Sequence, residues 1–94
     1  MDEMKRWASI LANMNEQEYD LKKIVREGEL RLSGLKLELG WAKEGKHGFR
    51  PDQAEEIAEK IKWLERRLAN HRSELRKVKQ EILVHCQNKP SQGL

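Results

Sequence analysis

Apolar residues recur along most of this chain at alternating steps of three and four. From Met4 the pattern runs through Trp7, Leu11, Met14, Glu18, Leu21, Val25, Gly28, Leu32, Leu35, Leu39 and Ala42, and ten of these twelve positions are apolar. That spacing draws one stripe down one face of a helix, as in a coiled-coil seam. The two exceptions carry information. Glu18 is expected near a solvated edge, and Gly28, which costs a helix interior about 1 kcal/mol, is expected to admit a bulky neighbour.

A second tract follows the same rule through Ala54, Ile57, Ile61, Leu64, Leu68, His71, Leu75, Val78, Ile82 and His85, eight of the ten being apolar. Pro51 precedes Asp52, and Asp52 with Glu55 three residues on reads as a capping box. Carboxylates crowd its first turns and Arg72, Arg76, Lys77 and Lys79 the later ones, which suits the helix dipole. Between the tracts, residues 43–51 hold two glycines and a proline, the punctuation of a turn.

Two long helices on one short connection predict an all-α, coiled-coil-like antiparallel hairpin. The expected bounds are a helix over about 3–43, a turn at 44–51 and a helix over about 52–86, one domain spanning 1–88 with a flexible tail at 89–94. Facing residues then have numbers adding to about 96, so that Gly28 meets Leu68 and Val25 meets His71. Two local alternatives stay open. The first helix could break near residue 14, where Asn13 and Asn15 offer caps, or end at a Gly40 C-cap that would move Trp41 into the loop with Phe49.

Apolar residues off the seam suggest how such a hairpin assembles. Ile24, Leu30, Gly34, Leu37 and Trp41 give the first helix a second apolar side, whereas the second helix is mostly charged outside its seam. Two hairpins packed through their first helices, as a homodimeric four-helix bundle, are the expected assembly, with Ile24, Leu30, Gly34, Leu37 and Trp41 at the interface.

Composition and charge add constraints. The 94 residues are 37% charged and 37% hydrophobic with a net charge of +3. A single cysteine, Cys86, closes no intramolecular disulfide, and the longest apolar stretch near the N-terminus is too short for a signal peptide or a spanning helix. A cytoplasmic protein that inserts in no membrane is expected. The charge is uneven, since eight cations face two carboxylates between Lys60 and Lys79. Lys62, Trp63, Arg66, Arg76 and Lys77 lie away from the seam and together would suit phosphates beside a stacking ring.

Chemistry-bearing motifs are few. Gly40 to Lys46 matches phosphate-loop spacing, but His47 stands where Ser or Thr is required and no strand precedes it. His71 and His85 are about 21 Å apart along one helix and cannot share an ion within one chain. His71 is expected instead as a partly buried, hydrogen-bonded seam residue. No catalytic residue, cofactor or metal site is expected, because a straight hairpin offers little concavity. Trp41, Phe49 and Trp63 fall towards the loop end and off the seam, as binding hot spots do. The primary expectation is therefore a non-enzymatic protein-interaction module, a small cytosolic regulator, inhibitor or adaptor that works as a dimeric hairpin with an unidentified protein partner. The alternative is a nucleic-acid-binding hairpin using the basic outer face of its second helix.

Overall fold

A computed structural model describes residues 2–90 and places them in two long helices. Helix α1 spans Asp2–Glu44, a single 3-10 turn follows at Pro51–Gln53, and helix α2 spans Ala54–Gln87. They run antiparallel as a rod of 72 × 17 × 13 Å. Every position of both heptad stripes is buried or half-buried, Glu18, Gly28, His71 and His85 included. The 43 residues of α1 make it about 65 Å long.

Neither interruption of α1 occurs. The helix passes through Asn13 and Asn15, and it also passes through Gly40. Ala42 explains the second result, because it is 0% exposed in a cluster with Leu35, Ile57 and Ile61, against which Leu32, Leu39, Phe49, Ala54 and Leu64 pack. Ending at Gly40 would pull Ala42 out of that cluster. The helix stops instead at Gly45, whose φ of +67° suits a residue without Cβ. Gly45 N donates to Ala42 O at 3.2 Å and Lys46 N to Trp41 O at 2.8 Å, the bond pair of a Schellman motif. The chain then reverses at His47 and Gly48, both with positive φ, and Phe49 N donates to Lys46 O at 3.0 Å.

The start of α2 differs from the expected Asp52–Glu55 capping box. Arg50, extended at φ −115° and ψ 149° as a residue before proline must be, donates its N–H to Gln53 Oε1 at 2.8 Å, while Gln53 N donates to Arg50 O at 3.0 Å. Asp52 points elsewhere, pairing with Arg50 Nε at 3.3 Å. Pro51 causes the shift by opening a 3-10 turn, so that α2 begins at Ala54, two residues late. Its far end comes at Gln87, one residue beyond expectation. Of the expected tail, residues 91–94 lie outside the described residues.

The rod exposes 7487 Å², where a compact monomer of 11.1 kDa exposes about 5,700 Å². Among the described residues no helix is long and apolar enough to cross a membrane.

Candidate functional site

The two ends of the rod are closed by different devices. At the loop end, the Trp41 ring lies 4.8 Å from His47 and 5.9 Å from Phe49, centroid to centroid. Phe49 also packs on the Leu35–Ala42–Ile57–Ile61 cluster. Both aromatics are half-buried, so they seal the core where the loop leaves it. The third member of the expected aromatic group stands apart. Trp63 is about two and a half turns from the start of α2 and 59% exposed, with the Arg67 guanidinium 4.7 Å over its ring. Sequence spacing put the three rings at one end; the heptad phase turns Trp63 outward while the loop folds Phe49 inward.

At the open end Trp7 and His85 are joined twice. Trp7 Nε1 donates to His85 O at 2.9 Å, His85 Nε2 lies 2.8 Å from Trp7 O, and the rings stack at 5.0 Å and 12°. With Nε2 carrying the proton, each residue donates to the other's main chain. This cross-link between the two helices fixes their register where the rod would otherwise fray. The seam histidine expected to be hydrogen-bonded is His71. His71 is half-buried beside Gly28 and Leu68, and no hydrogen bond to it is formed within the described residues.

Charged pairs across the seam are sparse. Arg72 Nη2 meets Glu29 Oε1 at 3.1 Å, one of the interhelical pairings the flanking charges allow. Both side chains are about half exposed, so the pair guides register more than it stabilises. The remaining ion pairs are local, such as Lys22–Glu18 and Lys60–Glu56.

The outward face of α1 is unlike that of α2. Leu30 is 69% exposed and Leu37 59% exposed, and Gly34 stands between them. At 100° per residue these three, with Ser33, Gly40 and Trp41, occupy the rows farthest from the seam, about 150° around the helix. No charged residue falls in those rows from Leu30 to Trp41, since Arg31, Lys36 and Glu38 lie on the flanks. A Cβ added to Gly34 or Gly40 would meet nothing within 4 Å. Ile24, grouped with this stripe by sequence, belongs to a flank instead. It lines a shallow furrow of about 410 Å³ between the helices with Leu21, Val78, Glu74 and Lys77.

On α2 the outward rows from Lys62 to Gln80 hold Lys62, Trp63, Arg66, Ala69, Asn70, Ser73, Arg76, Lys77 and Gln80. Glu65 and Glu74 are on the flanks. Lys62 pairs with Glu59 at 3.8 Å, whereas Arg66, Arg76 and Lys77 make no ion pair within 4 Å among the described residues. Cys86 is exposed as a free thiol, and among the described residues no three His, Cys, Asp or Glu side chains gather. Compared with known proteins, the chain matches no family model, no curated protein and no solved structure.

Proposed function

We propose that this chain is a non-enzymatic protein-interaction module, a small regulator or adaptor whose working form is a pair of hairpins packed through the outward faces of α1. The observation that carries the reading is the uncharged face from Leu30 to Trp41. It combines two exposed leucines with two helical glycines, Gly34 and Gly40, at which an added Cβ would meet nothing within 4 Å in the hairpin. Each costs a helix about 1 kcal/mol relative to alanine, and a closely approaching second helix is a physical reason to keep them. A second copy fits best because the face is self-complementary, leucine ridges alternating with flat positions, and a two-fold axis brings such a face onto itself. The surface that the rod leaves wet, about 1,800 Å² beyond that of a compact monomer, is of the size a stable dimer buries.

The stripe lies nearly opposite the seam. Pairing through it therefore sets four helices side by side, the two α1 helices inside and the two α2 helices outside, a flatter arrangement than a square bundle. Light scattering coupled to size exclusion tests the reading. The parent chain should elute at twice the mass of one chain at micromolar concentration, and Leu30→Glu with Leu37→Glu should yield a helical monomer. A parent chain that stays monomeric to about 100 μM, a concentration far above what a stable dimer needs, sinks the proposal.

A further inference from the structure

The outward face of α2 is a different surface, and it stays free when hairpins pair through α1. We infer that it binds duplex DNA, lying across a major groove and contacting the phosphate row on either side. Three features carry this. First, the face is cationic without being merely charge-rich. From Lys62 to Gln80 its outward rows carry four cations and no carboxylate, the three carboxylates of those rows, Glu55, Glu56 and Glu59, all preceding Lys62. Second, three of the four cations are not consumed internally, since Arg66, Arg76 and Lys77 have no acidic partner within 4 Å among the described residues, and the fourth, Lys62, meets Glu59 only in an exposed pair at 3.8 Å.

Third, the cations fall in two pairs. Lys62 and Arg66 flank Trp63, Arg76 adjoins Lys77, and the centres of the two pairs lie about 19 Å apart at about 1.5 Å per residue. Between them the outward positions are Ala69, Asn70 and Ser73, all short and uncharged. A major groove is about 12 Å wide, and the phosphates bordering it add to that separation. Each cation pair thus reaches one row, and the short residues let the helix backbone come close over the groove. A single strand presents one phosphate row and an anionic bilayer a continuous sheet of headgroups, and neither calls for a neutral gap. Asn70 and Ser73 are the residues that the gap brings nearest the base edges.

The test is fluorescence anisotropy of a labelled mixed-sequence duplex with the full chain, whose mass is measured separately so that dimer formation and DNA binding are judged independently. With four phosphate contacts the affinity should fall about 150-fold between about 50 and 200 mM salt. Lys62→Gln with Arg66→Gln, or Arg76→Gln with Lys77→Gln, should each cut that to about 12-fold while circular dichroism stays unchanged. Lys23→Gln with Arg26→Gln removes the same charge from α1 and should leave the salt slope as it was. No binding of the duplex at about 100 μM protein in low salt overturns the inference. So does equal weakening by the α1 variant, equal affinity for a single strand of the same length, or capture by phosphatidylserine vesicles in place of the duplex.

Discussion

Gly28 and Leu68 face each other across the seam so closely that a Cβ on Gly28 would stand 2.5 Å from Leu68 Cδ2 and 3.2 Å from its Cγ. Leu68 is 1% exposed, so its side chain has little room to swing aside. Two effects therefore compete in Gly28→Ala. Alanine favours the helix by about 1 kcal/mol, while forcing a methyl into a filled core costs about 1–3 kcal/mol. The clash should win, and the variant should unfold at lower urea than the parent. In a Leu68→Ala background the same substitution should become stabilising, because the obstructing methyls are gone. A Gly28→Ala chain that gains stability with Leu68 intact would show that the helices simply move apart.

That contact is legible in the sequence, and the reason is physical. A heptad stripe has one solution for an antiparallel partner once the turn is located, so Gly28 opposite Leu68 follows from counting outward from residues 44–51. The same logic places all the seam residues and leaves Leu30 and Leu37 in solvent. What could not be counted was decided by single side chains. A Gly40 C-cap is an alternative to the turn at 44–51 by pattern alone, and the burial of Ala42 decides between them. Asp52 had the better capping chemistry, but Pro51 set a 3-10 turn that gave the position to Gln53. His71 and His85 are equivalent in the pattern, and His85 forms the polar lock because Trp7 stands opposite it with a ring N–H to give. On the outward faces, periodicity grouped the residues, yet it could not tell which cations were already paired with Glu59 or Glu29.

The Trp7–His85 lock should behave as a unit. Trp7→Phe keeps an aromatic ring beside the imidazole but removes the bond to His85 O, and should cost about 0.5–1.5 kcal/mol. His85→Ala removes the stack and the second bond together. If the two residues act on one another, the double variant should lose less than the sum of the singles, and the difference read from urea unfolding is their coupling. Amide exchange near Trp7 and near residues 82–87 should quicken in either single variant while the Leu35–Ile61 region keeps its protection. Strict additivity would reduce the lock to two independent contacts.

The loop makes a narrower prediction. Gly45 holds φ +67° where a side chain is strained, so Gly45→Ala should cost about 1–2 kcal/mol without changing the fold. His47, at φ +56°, already carries such strain, and asparagine tolerates that region better. His47→Asn should relieve the backbone but lose the ring packed on Trp41, leaving thermal stability within about 0.5 kcal/mol of the parent. A large loss in His47→Asn would mean that the Trp41 contact outweighs the turn.

Gly34 and Gly40 separate the hairpin from its proposed pairing, because within one chain they behave oppositely to Gly28. Each faces open space, so alanine there adds no clash and favours α1 by up to about 1 kcal/mol per site. A dilute, monomeric sample of the Gly34→Ala, Gly40→Ala variant should therefore melt higher than the parent. Between two closely packed α1 helices the added methyls push the backbones apart and strip contacts from Leu30 and Leu37, so the dimer should dissociate at higher protein concentration than the parent's. Melting followed across a concentration series reads both effects in one experiment: the curves of parent and variant should cross, the variant leading when dilute and trailing when concentrated. If the variant leads throughout, the two glycines do not mark a helix–helix contact, and the uncharged face of α1 is not where two copies meet.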